Sequence, residues 1–287
     1  PSEMCIRDSH TVVPSVRCDC GHWFCFGCGV AAHHPVICSI VRLWLKKCED
    51  DSETANWISA NTKECPKCIS TIEKNGGCNH MTCRKCKYEF CWICSGPWSE
   101  HGNNWYQCNR YDEKSGANAR DAQAKSRASL ERYLHYFNRY ANHEQSARLD
   151  HQLYLRIEKK MEEMQRTSDL TWIEVQFLKK AADTLSECRM TLKWTYCMVY
   201  YLERNNMTEL FEDNQRDLER AVEELSGQLE MPIERETIPA MRQKVTDCTF
   251  VNLTLVTAYV QKRREILLTD TVAGYQEDRW KWNVPLS

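Results

Sequence analysis

Cysteine and histidine are concentrated between positions 65 and 108 in a spacing that binds metal ions. The pattern is C-x2-C-x9-C-x4-C-x2-C-x4-C-x2-C-x6-H-x6-C, with eight cysteines and one histidine. Two closed tetrahedral zinc sites take eight protein ligands, and each C-x2-C pair can place two thiolates on one ion. Nine candidates therefore leave one residue over. The eight residues that we expect to bind zinc here are Cys65, Cys68, Cys83, Cys86, Cys91, Cys94, His101 and Cys108.

The residue left over is Cys78, which lies in the segment Gly76-Gly77-Cys78-Asn79-His80. A thiol outside the metal sites is a candidate nucleophile when a base lies nearby. The glycines allow a tight, exposed turn, and His80 suits a general base because histidine changes its charge near neutral pH. The alternatives are that Cys78 is a ligand or an inert buried thiol, and that His80 is an ordinary surface histidine. A carboxylate close in sequence that could orient His80 is Glu73.

A second group of cysteines precedes this one and predicts a further zinc module over residues 10–50. Cys18 and Cys20 resemble half of one ligand set, whose other half is not recognisable. Cys48 lies in a helical, lysine-rich stretch and is expected to be an ordinary buried thiol. One complete tetrahedral set has the spacing C-x2-C-x4-H-x4-C. Its members are Cys25, Cys28, His33 and Cys38.

The distribution of cysteine and charge disfavours several classes of protein. Fifteen of the 18 cysteines lie at or before Cys108, and their pairing with histidine favours zinc in a reducing compartment over a secreted disulfide scaffold. No run of about 18 apolar residues occurs, so we expect no membrane span. The net charge of −2 gives no reason to expect nucleic acid, although the aromatic residues between the ligands could stack on single strands. A cysteine protease would normally place its nucleophile and base far apart in sequence on a larger α/β scaffold. A small zinc module therefore does not favour that class of enzyme.

The chain changes character near Ala117, where cysteine, glycine and proline become rare. Apolar residues at three- and four-residue steps predict four long helices, and a capping box begins the second at Thr171. The fold class is therefore small zinc-stabilised α+β modules followed by an all-α helical bundle. The predicted helices cover 127–164, 171–204, 208–229 and 240–280, after a helical connector at 41–60. The predicted divisions are zinc modules at 1–50 and 63–110, a helical linker at 51–62 and a helical region at 111–287.

Several motifs resemble RING-between-RING ubiquitin ligases, and most closely the ariadne subfamily. The second zinc module is similar to the catalytic zinc domain of that family, and the first to its in-between-RING domain. The helical region is similar to the ariadne domain. The matching segments are Glu64–Cys68, Thr71–Met81 and Phe90–Cys94 for the catalytic domain, Cys18–Cys28 for the in-between-RING domain, and Asn109–Tyr111, Ala119–Gln123 and Trp172–Lys180 for the ariadne domain.

The resemblance implies a two-step transfer of ubiquitin. Cys78 would accept ubiquitin from a conjugating enzyme as a thioester, and a substrate lysine would then attack that thioester. His80 would be the general base that deprotonates the lysine, while zinc would be structural only. The implied partners are ubiquitin, a ubiquitin-conjugating enzyme, protein substrates and neddylated cullin–RING ligases. We expect a cytoplasmic or nuclear location, with neither nucleic acid nor membrane as a partner.

The resemblance also implies autoinhibition by the helical region. In the family, a Phe-Glu pair and a later glutamate fold over the catalytic cysteine. Here the pair aligns with Leu149 and Asp150, and the later glutamate with Glu223. We expect a weaker contact because the aromatic ring is replaced by leucine.

The sequence departs from the family pattern in three places. Its first RING is not recognisable, residues 1–9 are unlike the family, and two residues rather than four separate Cys83 from Cys86. We therefore expect a fragment with an N-terminally truncated in-between-RING domain and poor activity alone. The alternative function is a non-catalytic zinc-binding scaffold in which Cys78 is inert.

Overall fold

The structure is a computed structural model of the chain. It describes residues 15–19, 22–50, 62–74, 76–103, 108–111, 122–167, 172–230 and 238–269, and all structural statements below concern these residues. None of the described helices is both long enough and apolar enough to cross a membrane.

The zinc modules are built on short antiparallel hairpins. The first module contains one described hairpin and the second contains two. Residues facing each other across the last hairpin include His80 with Cys91 and Thr82 with Glu89. The strands are β1 (Ser15–Arg17), β2 (Trp23–Cys25), β3 (Thr62–Glu64), β4 (Thr71–Glu73), β5 (His80–Thr82) and β6 (Glu89–Cys91).

Each described C-x2-C pair forms the same backbone turn. The N–H of its first cysteine donates a hydrogen bond to the carbonyl of the residue five positions later. The N–H of the residue four positions later donates to the carbonyl of that cysteine. The residue four positions on has a left-handed backbone, which is costly outside glycine. Such turns therefore depend on metal binding for much of their stability. These residues are Gly29 (φ 72°), Ile69 (φ 57°), Lys87 (φ 58°) and Ser95 (φ 60°).

Six described helices follow or connect the hairpins, and the predicted fold class is confirmed. Asn205 caps one of them, because its Oδ1 accepts the N–H of Thr208 at 3.0 Å. The last helix begins two residues before its predicted start at 240, so that Pro239 lies in its first turn, where the missing N–H of proline costs little. The predicted end of that helix at 280 lies outside the described residues. The helices are α1 (Cys38–Asp50), α2 (Trp98–Asn103), α3 (Ala122–Thr167), α4 (Trp172–Tyr201), α5 (Asn206–Glu230) and α6 (Ile238–Thr269).

Helix α1 packs into the core of the helical bundle. The sequence predicts this segment as the end of the first module and the start of the helical connector at 41–60. Its Trp44 is fully buried, and Trp194 of α4 also donates a 2.9 Å hydrogen bond from Nε1 to the carbonyl of Ala32. The first module is thus attached directly to the bundle. The rings that surround Trp44 are Tyr133, Phe137, Tyr140, Tyr200 and Tyr201.

Candidate metal clusters and active-site loop

Three clusters of four side chains bring their ligand atoms together, each within 4.8 Å of one another. A tetrahedral ion with bonds of about 2.3 Å to sulfur separates its ligands by roughly 3.8 Å. The sulfurs of Cys65 and Cys86 are 3.6 Å apart, as are those of Cys68 and Cys83, so the geometry and the thiolate-rich donor set fit zinc. The clusters are Cys25, Cys28, His33 and Cys38; Cys65, Cys68, Cys83 and Cys86; and Cys91, Cys94, His101 and Cys108.

The two histidines of these clusters are held in the orientation that a metal ligand needs. Nδ1 of His33 donates to the carbonyl of Val36 at 2.8 Å, and Nδ1 of His101 lies 3.4 Å from the carbonyl of Pro97. Each Nε2 then faces a cluster sulfur at 3.3 Å. Such a hydrogen bond to the far nitrogen selects the tautomer whose other nitrogen can bind a metal.

The predicted fourth site stays a prediction. Cys18 belongs to none of the three clusters that the described residues form. Cys20, the other predicted member, lies outside the described residues. Cys48 is half-buried and is not disulfide-bonded.

Cys78 lies outside all three clusters, in the loop between β4 and β5. Its side chain is only 9% exposed, although the glycine pair had suggested an exposed turn. The N–H of His80 points at its sulfur at 3.4 Å. Burial, and then the charge of Glu223, raises the pKa of the Cys78 thiol. The thiolate is therefore scarce at neutral pH in this arrangement.

The glycines before Cys78 permit close approach of the helical bundle. A Cβ at Gly77 would collide with the carboxylate of Asp150, and a Cβ at Gly76 with that of Glu230. Glycine at these two positions therefore makes room for the helices. It does not make the turn exposed.

His80 is held by a carboxylate other than the one predicted. Its Nε2 lies 3.2 Å from Oε2 of Glu89, and its ring stacks on Trp98. Antiparallel pairing of β5 with β6 places Glu89 diagonally across from His80, within reach of its side chain. The register of the hairpin was the signal that could have identified Glu89 in place of Glu73.

Two glutamates of α5 accept hydrogen bonds from consecutive backbone amides of the loop. The N–H of Cys78 donates to Oε1 of Glu230 at 3.1 Å. The N–H of Asn79 donates to Oε2 of Glu223 at 2.5 Å, and its side-chain Nδ2 donates to Oε1 at 2.8 Å. The helical bundle is therefore hydrogen-bonded to the backbone of Cys78 and of the residue that follows it.

Arg189 of α4 connects the acidic residues Asp150 and Glu223, which were aligned above with the family's inhibitory contact, to the loop that carries Cys78. Its guanidinium donates to Asp150 at 3.1 Å, to Glu223 at 2.6 Å and to the carbonyl of Gly77 at 2.9 Å. Burial alone would raise the pKa of Glu223, but Arg189 and Lys74 lower it, so that it remains ionised. Leu149, the other aligned residue, is half-buried.

Lys74 forms a second buried connection between loop and bundle. Its Nζ lies within hydrogen-bond distance of four oxygens, at 2.7 to 3.2 Å. Burial, and then the charge of Arg189, lowers the pKa of Lys74 to about 8. Sequence reasoning identified neither Lys74 nor Arg189 nor Glu230. The oxygens belong to Gly77, Asn79, Asn142 and Ser146.

Comparisons with known families and proteins match both parts of the chain. A model described as an IBR domain matches residues 60–110, and one described as an Ariadne domain matches residues 131–272. The first match falls on the module interpreted above as catalytic. The C-x2-C turns of the two modules make the same pattern of backbone hydrogen bonds. This similarity is a physical reason why a family model described as an IBR domain also fits the second module.

Curated proteins with high similarity are named as E3 ubiquitin-protein ligases. Ligase dbl4 of Schizosaccharomyces pombe is 64% identical over 96% of this chain and 53% of its own length. Ligase ari-1.1 of Caenorhabditis elegans is 53% identical over 97% of this chain and 55% of its own length. Ligase ARIH1 of Homo sapiens is 54% identical over 93% of this chain and 47% of its own length. The chain thus spans about half the length of the curated relatives it matches.

Proposed function

This chain belongs to the ariadne subfamily of RING-between-RING ubiquitin ligases, and from that premise we propose that Cys78 carries ubiquitin as a thioester. The observation that supports this most directly is the division of cysteines in the second zinc module. The other described cysteines there lie in two metal clusters, whereas Cys78 lies outside them, two residues from His80.

The transfer proceeds in two steps. The Cys78 thiolate attacks the C-terminal carbonyl of ubiquitin on a conjugating enzyme, and the thiolate of that enzyme leaves. A substrate lysine amine then attacks the new thioester, the Cys78 thiolate leaves, and His80 takes the proton of the amine. Glu89 lies within hydrogen-bond distance of Nε2 of His80. The products are an isopeptide bond and the free thiol.

Zinc bound at the three clusters would hold the hairpins together and supply no chemistry to the transfer. Its place in the mechanism is to fix the ends of the loop that carries Cys78. The residues that would hold it are the cluster members, all thiol and imidazole groups.

The helical bundle inhibits the enzyme by covering this loop. Glu223 and Glu230 bind the amides beside the thiol, Arg189 binds the carbonyl of Gly77, and Cys78 itself is buried. A ubiquitin carbonyl must reach the sulfur, so these contacts have to separate before transfer. Partners that displace the helices, such as neddylated cullin–RING ligases, would activate the protein; its other partners are ubiquitin, a conjugating enzyme and substrates.

A single-turnover loading experiment on the zinc-loaded chain of 287 residues tests the proposal. Ubiquitin supplied as a small-molecule thioester avoids the need for a docked conjugating enzyme. We expect an adduct on non-reducing gels that thiol removes, that Cys78→Ala abolishes, and that Glu223→Ala accelerates. Cys48→Ala, at a cysteine outside the clusters, is the matched control and should load normally. An adduct that persists without Cys78, or none in any variant, would favour the non-catalytic scaffold.

A further inference from the structure

The ring of Trp98 stacks on His80, a contact that the two-step transfer does not use. The ring centroids are 4.2 Å apart and the planes differ by 6°. Trp98 is the first residue of α2, directly after Pro97, which bridges to Phe90 of β6. The hairpin that carries His80 therefore also anchors the start of the helix that carries Trp98.

The other neighbour of Trp98 is a member of a metal cluster. His101 lies three residues later on α2, where side chains share one face, and its ring is 5.6 Å from that of Trp98 with planes differing by 8°. Its Nε2 faces Cys94 at 3.3 Å. The three rings thus form a column that runs from the metal cluster to the base beside Cys78.

Glu89 alone does not restrain His80 strongly. The side chain of His80 is 33% exposed and that of Glu89 is 56% exposed, and exposed pairs of this kind contribute little. The terminal torsion of histidine is broad, so the ring could turn while keeping one hydrogen bond. A ring stacked flat on Trp98 cannot turn in this way without losing the stacking contact.

We propose that Trp98 is a positioning residue that holds the His80 imidazole in the plane from which it takes the proton of the attacking amine. The inference rests on the proposed function and deepens it. It concerns the second step only, because loading of Cys78 involves no amine. Loss of the stack should therefore separate the two steps, whereas general damage to the module would slow both.

The test uses the full chain, loaded at Cys78 from the small-molecule thioester of ubiquitin and then discharged onto free lysine. We expect Trp98→Leu to load within about twofold of the wild type and to discharge about tenfold more slowly, since misplacement of a reacting group is costly. Trp98→Phe, which keeps a flat ring, should restore most of the rate. Tyr88→Leu is the matched control, because Tyr88 stacks on Phe90 in the same module. It should leave both steps unchanged.

A spectroscopic measurement on the wild type tests the stacking geometry directly. In NMR spectra of the zinc-loaded wild type, the ring protons of His80 should be shifted upfield by the indole face, and Trp98→Leu should remove the shift. The inference is overturned if the wild type lacks the shift, if Trp98→Leu discharges normally, or if loading and discharge slow by the same factor. Failure of every variant to load Cys78 would overturn the proposed function and this inference together, whereas normal loading with normal discharge overturns only the inference.

Discussion

At the scale of residues, the contact between the helical bundle and the loop that carries Cys78 depends on charged groups that are buried against one another. Arg189 is fully buried between Asp150 and Glu223. Removing one member of such a set leaves an unpaired charge in the interior, at a cost of about 3–5 kcal/mol. An exposed pair such as Arg148 with Glu144 contributes only about 0–1 kcal/mol. Burial rather than charge count thus decides which ion pairs matter here.

Arg189→Ala should lower the free energy of unfolding by about 3–5 kcal/mol, because Asp150 and Glu223 lose their shared partner. Alkylation of Cys78 by iodoacetamide should also become faster, since the carbonyl of Gly77 is released. Urea denaturation and mass spectrometry of the alkylated peptide measure the two effects. Arg148→Ala is the control, and equal stability of the two variants would contradict the buried-charge argument.

The pH profile of Cys78 alkylation should be displaced to high pH. Burial and Glu223 raise the pKa of this thiol, so at any given pH less thiolate is present than for an ordinary cysteine with a pKa of about 8.5. We expect the rate to keep rising where an ordinary cysteine has levelled off. Glu223→Gln should move the profile to lower pH, and Glu224→Gln, at an exposed residue paired with Lys244, should not. A wild-type profile that levels off near 8.5 would refute the prediction.

At the scale of elements, two different forces hold the fold. The hairpins are three residues per strand and include left-handed turns outside glycine, so they need a bound ion for stability. Helix α1 instead buries Ile40, Val41 and Trp44 against the bundle, and hydrophobic burial stabilises it. The first zinc module is thus connected to the bundle by a helix that begins at the cluster member Cys38 and packs on the bundle through apolar side chains.

Trp44→Ala should destabilise the bundle by about 3–5 kcal/mol, because it removes a buried aromatic ring and leaves a cavity. Leu43→Ala, at the adjacent residue that is 39% exposed, is the matched control and should cost far less. Loss of helical circular dichroism in urea measures both. Similar midpoints for the two variants would show that α1 does not share the core of the bundle.

Removal of metal should affect the zinc modules and spare the long helices. A strong chelator should expose the cluster thiols to a disulfide reagent, while far-ultraviolet circular dichroism changes little, because the three clusters lie outside α3 to α6. Thiol titration with and without chelator, beside a dichroism spectrum, measures this. Collapse of the helical signal on chelation would contradict the division between metal-dependent and metal-independent parts.

At the scale of the whole molecule, the contacts between the helical bundle and the loop that carries Cys78 join segments far apart in the chain. Asn79 and Glu223 are separated by 144 positions, and Cys78 and Glu230 by 152. Closing loops of this length costs conformational entropy, so these contacts form only because the packed helices already hold α5 in place. The arrangement suits a switch, because displacing one helix would release several contacts together.

Glu223→Ala combined with Glu230→Ala should accelerate hydrogen exchange at the amides of Cys78 and Asn79. Those amides donate to the two carboxylates in the closed arrangement, so their protection should fall when the acceptors are removed. The amide of Cys91 is an internal control, since it donates to Gly96 within its own turn and should keep its protection. Unchanged exchange at Cys78 and Asn79 would show that the carboxylates do not keep the loop closed.

The parts of the fold that depend on local order were predictable from the sequence. The cluster members within each module lie close together in the chain, so their spacing alone identified the three groups. The long helices followed from apolar periodicity, because a helix repeats its pattern over neighbouring turns. Spacing also left Cys78 outside the ligand sets, and His80 lies only two residues from it.

The sequence by itself therefore determined the zinc modules, the helical bundle and the candidate thiol. Only the tertiary structure decided what surrounds that thiol. It placed Glu89 rather than Glu73 on His80, and it brought Lys74, Arg189 and Glu230 to the loop. Arg189 and Glu230 come from helices more than 100 positions away, and no local pattern marks a charge that is stabilised by distant partners. The burial of Cys78 likewise follows from helix packing, which the family resemblance implied but the local residues did not.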